Sequence, residues 1–221
     1  MKKTFVLALM VVVSMAGSAS ADLILSGIVD GPLPGGTPKA LEFFATADIA
    51  DLSIYGVELV ANANTSPGFS ASTALSGSLT AGDYYYVASE AANFTAVFGF
   101  APDLVTGEVN HNGDDDFNIY ENGVLHDVWS GTDGVDNTGT VTDILDSWAY
   151  RVDNTGPSTT FDASEWTITP PNSLDGLDAA GTNAAVPFGT FTAPLTSAVP
   201  EPSSLALLGL IGLAGTVRRR R

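Results

Sequence analysis

The sequence contains no cysteine, so disulfide bonds, which hold many small secreted domains together, are excluded. Between its two apolar ends the chain has about 180 residues, and a chain of that length can bury a sizeable hydrophobic core without such bonds. The same length favours a single domain. The missing cysteines do not identify the cellular compartment, which has to be read from the chain ends.

Basic residues are almost as scarce in the central part of the chain. Residues 22–200 contain 24 acidic side chains and, besides histidine, only Lys39 and Arg151 as cations, a formal charge of −22 compared with −17 for the whole sequence. Proteins bind nucleic-acid phosphates and anionic lipids through Lys and Arg side chains that displace counterions. The charge therefore argues against direct nucleic-acid binding. It leaves cations, cationic proteins and neutral or weakly charged polysaccharides as partners.

Neither end carries a hydrophobic run of the roughly 20 residues that cross a bilayer comfortably. At the N-terminus, two lysines precede the run FVLALMVVVSMAG, and the small residues Ala19 and Ala21 follow, as a signal peptidase requires. Residues 1–21 are therefore predicted to be a secretory signal peptide, and the mature protein is expected to begin at Asp22. The alternative, a transmembrane anchor, is disfavoured because the run is short and ends in a cleavable pattern.

No helical apolar period persists through ten residues between the two ends. Short apolar or alternating runs separated by Gly, Pro, Asn and Asp occur instead, among them LSIYGVELVANA, DYYYVAS, FTAVFGF and VLHDVW. These runs predict β-strands, and many short strands predict an all-β antiparallel sandwich or barrel. The Asn-Gly pair within residues 121–123 favours a type I′ hairpin.

The aromatic residues are compatible with core packing or with a platform that stacks on sugars, and core packing is the commoner fate. Within the triplet at residues 84–86, alternation predicts that Tyr85 faces away from its two neighbours. Large rings at Trp148 and Trp166 need burial and are expected to close a domain over residues 22–178. Residues 179–198 consist mainly of small residues and proline, a composition that predicts one weak strand and a linker.

The most polar cluster is NHNGDDDFNIYE at residues 110–121. Oxygen-bearing side chains recur there at alternating positions, with an acidic residue at the twelfth, which is the spacing of a calcium loop. Asn112, Asp114 and Asp116 are the candidate calcium ligands. Asp115 occupies the sixth position, where a calcium loop needs glycine, and no flanking helix is predicted. The alternative is a solvated turn that starts the next strand.

No catalytic constellation is recognisable in the sequence. His111 and His126 are its two histidines, and the G-x-S-x-G, HExxH, Walker and dinucleotide-binding motifs are absent. The chain is therefore predicted to be noncatalytic, with no catalytic residues and no cofactor other than calcium. The alternative is a secreted hydrolase acting on extracellular polysaccharide or nucleic acid, and two carboxyls about 5 to 10 Å apart in a cleft would favour it.

The chain ends with VPEPSSLALLGLIGLAGTVRRRR. Pro200, Glu201 and Pro202 are followed by an apolar run at residues 203–217, predicted as a short helix, and then by four arginines that a soluble fold cannot bury without partners. Residues 199–221 resemble a PEP-CTERM sorting signal. The resemblance implies Sec-dependent export, processing by an exosortase near Pro-Glu-Pro, and transient inner-membrane anchoring with the arginines in the cytoplasm. It also implies release to the cell surface or exopolysaccharide matrix of a Gram-negative bacterium.

The central part of the chain resembles the bacterial lamin-tail domain, an immunoglobulin-like antiparallel β-sandwich. The similar segments, in order, are KALEFF at 39–44, the Asp51-Leu52-Ser53 turn, NGDDDFNIY at 112–120, GVLHDVW at 123–129, SWAYR at 147–151 and FDASEWTI at 161–168. Ile144 departs from the family, which has an aromatic residue there. The resemblance implies an adhesion or interaction role and assigns no catalytic residues. A calcium-stabilised structural protein is a further alternative.

Overall fold

The computed structural model describes residues 23–131 and 134–196. Several predicted features lie outside these residues: the signal peptide at 1–21 with Ala19 and Ala21, and the sorting signal at 199–221 with Pro200, Glu201 and Pro202. The structure therefore bears on the central body of the protein.

The body contains ten strands and two short helices within the described residues. The strands are β1 (Leu23–Leu33), β2 (Thr37–Ala45), β3 (Tyr55–Val60), β4 (Thr73–Ala74), β5 (Tyr84–Ala88), β6 (Leu104–Val105), β7 (Asp116–Glu121), β8 (Val124–Trp129), β9 (Trp148–Arg151) and β10 (Trp166–Ile168). The helices are α1 (Ala92–Phe98) and α2 (Ala179–Ala185). Neither helix has the length and hydropathy needed to cross a membrane.

The strands form two sheets. The larger sheet has the order β10-β9-β1-β2-β5-β6, and the smaller sheet has the order β4-β3-β7-β8. Every pair within them is antiparallel except β5–β6, which is parallel. Two sheets of mostly antiparallel strands agree with the predicted β-sandwich. The parallel β5–β6 pair, whose strands are connected through α1, departs from it.

The main core combines apolar side chains from both sheets. It is built by alternation along the strands, which sends every second side chain to the same face. Its largest fully buried members are Trp129, Tyr55, Phe43 and Phe117. Trp129 is 1% exposed, and its ring meets the Trp166 ring edge to face at 4.9 Å between centroids.

Three elements cover the other face of the larger sheet: α1, α2 and the C-terminal strap, which we define as residues 186–196. Two apolar clusters lie beneath them, one containing Val29, Ala40, Ala88, Phe94, Leu174 and Val186, and the other Ile24, Phe44, Tyr150 and Phe191. The sequence predicted one weak strand and a linker over residues 179–198, whereas Ala179–Ala185 form the helix α2 and the strap packs on the sheet without forming a strand in the described residues. Val186, Phe188 and Phe191 pack against the face of the larger sheet that lies opposite the main core, a long-range contact that local spacing does not reveal.

Most local predictions for the strands and turns are confirmed, but the run FTAVFGF at residues 94–100, predicted as a strand, begins within the helix α1. Its buried residues Phe94 and Val97 are three positions apart, the spacing of one helix face rather than of a strand. Asn122 and Gly123 connect β7 to β8 with φ angles of 50° and 79°, the positive values that a type I′ turn requires. Tyr85 is 4% exposed and faces the main core, whereas Tyr84 and Tyr86 lie on the face that the strap and α1 cover.

The two tryptophans expected to close the domain lie on opposite faces of the larger sheet. Trp166 belongs to the main core, whereas Trp148 packs against the clusters beneath the strap and α2. The ring that fills the space between the sheets beside Trp166 is Trp129.

Trp129 provides a test of the main core. We expect Trp129→Ala to lower the free energy of unfolding by about 3 to 5 kcal/mol, because it leaves a large cavity between the sheets. Val124, which is 69% exposed on the adjoining hairpin, is the control, and Val124→Ala should cost less than about 1 kcal/mol. Urea unfolding of the purified secreted protein measures both values. Equal losses for the two variants would contradict this description of the core.

Candidate functional site

The turn before β7 places three consecutive aspartates in different surroundings. Asp115 is 3% exposed; its Oδ1 accepts the N–H of Asn62 at 2.8 Å and its Oδ2 accepts the N–H of Asn112 at 3.0 Å. Gly113 has a φ of +87°, and a Cβ there would lie 2.4 Å from the backbone nitrogen of Leu145. Asp115, the residue that departs from the calcium-loop pattern, therefore closes the turn, and Gly113 allows the neighbouring backbone to pass.

Asp114 and Asp116 both face the loop at residues 134–143. Asp116 Oδ1 accepts a hydrogen bond from Asn137 Nδ2 at 2.6 Å, and Asp114 Oδ2 accepts one from Thr138 Oγ1 at 2.8 Å. Because Asn137 and Thr138 are neighbours, the two carboxylates lie on the same side of the chain. We call these four residues the Asp114–Asp116 cluster. Asn112, the third predicted ligand, is exposed and contacts Asp115 through its backbone N–H.

One oxygen of this cluster lacks a hydrogen-bond donor among the described residues. Asp114 Oδ1 is buried and has no such partner there. A buried carboxylate oxygen without a donor costs about 1 to 3 kcal/mol, and a bound cation would remove that cost. Within residues 23–131 and 134–196, no group of three or more His, Asp or Glu side chains is arranged to hold a metal ion. A calcium ion here would therefore need hydroxyl, amide and backbone oxygens as well, which calcium accepts.

Arg151, one of the two cations of the body, is buried where the two sheets meet. Its Nη2 lies 2.8 and 2.7 Å from the two carboxylate oxygens of Asp127, and its Nε donates to the carbonyl of Leu25 at 2.7 Å. Its guanidinium carbon is 4.5 Å from the centroid of the Trp166 ring. Arg151 is 3% exposed, so its guanidinium binds groups in the interior and is not accessible to an external ligand.

The second cation, Lys39, is also internal. Its Nζ lies 2.7 Å from Asp30 Oδ1 and also donates to the carbonyl of His111. Asp30 Oδ2 accepts the N–H of Asp146 at 3.1 Å. This pair ties β1 and β2 to the loops before β7 and β9.

The described surface consequently presents no exposed lysine or arginine. Seven carboxylates are buried, namely Asp30, Glu42, Glu58, Asp115, Asp116, Asp127 and Asp143, and the remaining described acids are partly or fully exposed. A surface with carboxylates and no ammonium or guanidinium groups attracts cations and repels polyanions.

Both histidines have structural partners. His111 is 1% exposed; its Nδ1 accepts the N–H of Gly113 at 3.1 Å, and its Nε2 lies 3.1 Å from the carbonyl of Val29. Burial lowers the pKa of His111 to about 3, so the ring is neutral. His126 Nε2 lies 3.1 Å from the carbonyl of Leu23. Each ring thus joins a loop or strand to β1.

A cavity of about 220 Å³ opens beside the loop at residues 134–143. It is lined by Thr140, Val141, Asp143, Ile168, Thr169, Pro170 and Pro171. Asp143 is its one acidic lining residue, and the two oxygens of that carboxylate accept the N–H groups of Gly139 and Leu145 at 2.7 and 3.2 Å. The pair of carboxyls that a glycoside hydrolase needs is therefore not found in this cavity.

Glu42 is a buried carboxylate that the sequence patterns did not single out. It lies on β2 beneath the strap, is 0% exposed, and accepts hydrogen bonds from Ser26 Oγ at 2.7 Å and Tyr150 OH at 2.8 Å, and from the N–H of Gly189. Burial raises its pKa to about 7. The sequence did contain one sign of this buried carboxylate, a single glutamate inside the apolar run ALEFF, where burying an unpaired charge is costly.

Comparison with known proteins identifies the C-terminal end of the chain. Residues 198–221 match the family model of the PEP-CTERM protein-sorting motif. No curated protein sequence and no solved structure matches the chain. The PEP-CTERM prediction is confirmed, the motif indicates an exported protein processed by an exosortase, and the lamin-tail resemblance of the body remains a prediction.

The raised pKa of Glu42 predicts how the free energy of unfolding depends on pH. Because its pKa in the folded state is about 7, above the ordinary value of 4.5, its stabilising contribution is complete below pH 4.5 and is lost as the pH rises through 7. We expect the difference in unfolding free energy between the wild type and Glu42→Gln to change by about 3 kcal/mol between pH 4.5 and 8. Urea unfolding at several pH values measures it. Parallel pH profiles for the two proteins would contradict the prediction.

Proposed function

We propose that this protein is an exported, noncatalytic component of the cell surface or exopolysaccharide matrix of a Gram-negative bacterium. In this proposal an exosortase processes its C-terminal end, and the β-sandwich body, of the immunoglobulin-like lamin-tail type, serves adhesion or interaction. The observation that carries the proposal is the PEP-CTERM motif at residues 198–221. The predicted signal peptide at residues 1–21 supports export by the same route.

The charge of the body supports a matrix partner that is neutral or cationic. Lys39 and Arg151 are both buried in ion pairs with Asp30 and Asp127, so the described surface offers no cationic group to a polyanion. Phosphate-rich partners such as nucleic acid are disfavoured for that reason. Neutral polysaccharides and amine-bearing polymers do not meet this electrostatic barrier.

The motif at the C-terminal end also predicts how the chain is held before release. The apolar run at residues 203–217 is short for a permanent span, and the four arginines after it favour the cytoplasmic side of the inner membrane. We therefore propose that the tail holds the precursor at the membrane until the exosortase removes it.

Processing at both ends is directly testable. We expect the secreted protein to begin at Asp22 and to lack all residues after about Pro202, because neither terminal apolar run is stable in water. Mass spectrometry of extracellular material determines both ends, and a strain without the exosortase is the control, in which the C-terminal peptide should remain. Peptides from residues 205–217 in extracellular protein of the wild-type strain would contradict the proposal.

Calcium stabilisation of the body is a second candidate role. The observation that favours it is the buried Asp114 Oδ1, which has no hydrogen-bond donor among the described residues and lies in the cluster that also contains Asp116. A divalent cation there would satisfy that oxygen and reduce repulsion between carboxylates in an acidic body.

The calcium proposal predicts a specific thermal shift. Free calcium at a hundred times its Kd should stabilise the folded protein by about 2.7 kcal/mol, since it binds the folded state alone. Melting temperature is measured with CaCl2 and with NaCl or MgCl2 at the same ionic strength, because screening alone also stabilises an acidic protein. The variant with Asp114→Asn and Asp116→Asn should lose the calcium response. An equal response to sodium, or a response that survives in the variant, would exclude calcium binding by this cluster.

A further inference from the structure

The strap covers a carboxylate that has no cationic partner. Glu42 is 0% exposed beneath the strap and accepts the N–H of Gly189, which is a strap residue. The two cations of the body, Lys39 and Arg151, are paired with other carboxylates. A buried carboxylate that no cation neutralises favours its protonated form, because the charged form loses its hydration on burial.

Tyr150 connects Glu42 to further residues of the strap. Its hydroxyl donates to Glu42 Oε1 at 2.8 Å and accepts the N–H groups of Thr190 and Phe191 at 3.0 and 2.7 Å. Phe191 is 0% exposed and meets the Phe44 ring edge to face at 5.4 Å. The carboxylate, the tyrosine and three consecutive strap amides therefore form one hydrogen-bonded unit.

The strap can leave the larger sheet without breaking it. Its contacts with Glu42, Tyr84 and Tyr150 are made to side chains, and no strand occurs within residues 186–196, all of which the structure describes. A segment held in this way can open locally while the strands keep their ladder hydrogen bonds. Such an opening returns Glu42 to water.

Glu42 is the acidic group at the centre of this unit, and the groups around it are uncharged. On β1 its partner is the hydroxyl of Ser26, and neither helix nor the strap contains a titratable side chain. The strap also contacts Asp153, which is exposed and accepts the N–H of Thr192 at 2.8 Å. Three tyrosines lie on the neighbouring strands, and burial raises the pKa of each, so that they stay neutral near pH 7: Tyr84, Tyr86 and Tyr150.

We propose that the strap is a pH-sensitive cover, whose docking is favoured while Glu42 is protonated and weakened when that carboxyl loses its proton. Release of the strap uncovers the apolar face of the larger sheet around Ile24 and Phe44. The protein therefore presents a more apolar surface in alkaline than in acidic surroundings.

The direction of the effect follows from the two environments of the carboxyl. In the docked state, burial raises the pKa of Glu42 to about 7, although its hydrogen bonds act in the opposite direction. In the open state, contact with water restores the ordinary value of 4.5. Docking is therefore at full strength below pH 4.5 and weakens as the pH rises through 7. Between pH 5 and 8 the ratio of docked to open molecules should fall roughly 70-fold.

Hydrogen exchange of the purified protein at pH 5 and pH 8 tests the proposal, with each rate divided by the intrinsic rate of that amide at the same pH. The protection factors of Gly189, Thr190 and Phe191 should fall about 70-fold, while the amides of the β1–β2 ladder stay protected. Glu42→Gln should abolish this pH dependence, whatever the level of protection in that variant.

Glu58 provides the matched control, because it is also a buried glutamate bound by a tyrosine and a glycine. It lies on β3 in the smaller sheet, is 1% exposed, and accepts Tyr120 OH at 2.6 Å and the N–H of Gly68 at 2.9 Å. Burial opposes its charge, but the hydrogen bonds outweigh burial and lower its pKa. Glu58→Gln should therefore leave the pH response of the strap as it is in the wild type.

Gly27 on β1 allows an independent test, because the coupling between strap docking and Glu42 protonation is reciprocal. A Cβ at Gly27 would lie 2.7 Å from a ring carbon of Phe188 in the strap and 2.9 Å from the Tyr150 ring, so Gly27→Ala should displace the strap. The pKa of Glu42, measured by carbon-13 NMR of the carboxyl, should then fall from about 7 toward 4.5. Gly107→Ala should keep the wild-type value, because a Cβ there meets nothing within 4 Å.

Two sets of results would overturn the proposal. In hydrogen exchange, these are strap protection that is independent of pH in the wild type, or that falls equally in Glu42→Gln. In the NMR titration, they are a wild-type pKa of Glu42 near 4.5, or an unchanged pKa in a Gly27→Ala protein whose strap amides exchange faster. The titration requires no substitution of Glu42, so it decides the question if Glu42→Gln does not fold.

Discussion

The Arg151–Asp127 ion pair joins the two sheets of this protein. Arg151 is on β9 in the larger sheet, Asp127 is on β8 in the smaller sheet, and both are almost completely buried. The same guanidinium also binds the carbonyl of Leu25 on β1 and lies against the Trp166 ring. Removing one partner of such a pair leaves an uncompensated buried charge, so the position of β8 against β9 and β1 depends on it.

The use of both cations in the interior determines the character of the surface. Residues 22–200 contain only Lys39 and Arg151 as lysine or arginine, and each is buried beside a carboxylate. The described exterior therefore has acidic groups without basic ones. Repulsion between such surfaces opposes contact between copies of the protein. Any partner that this acidic surface attracts electrostatically is therefore a cation or a cationic polymer.

The larger sheet is covered on both faces, and the second cover leads directly to the sorting motif. Phe191 and the hydrogen bonds to Tyr150 bring the strap over Glu42, whose carboxylate is thereby removed from water. The body thus reaches within a few residues of Pro200, although the composition of residues 179–198 predicted a linker.

The sequence alone determined the features that depend on neighbouring residues. Alternation predicted most of the strand runs and that Tyr85 faces away from Tyr84 and Tyr86. Asn122 and Gly123 predicted the hairpin turn, and the residue order at the C-terminal end predicted the sorting motif. The tertiary structure decided which distant groups meet: Arg151 binds Leu25 across 126 positions and Gly189 binds Glu42 across 147. It also assigned Asp115 to closing the turn and Trp148 to the face beneath the strap. Charge, composition and period are local properties, whereas burial and ion pairing depend on how the chain folds back on itself.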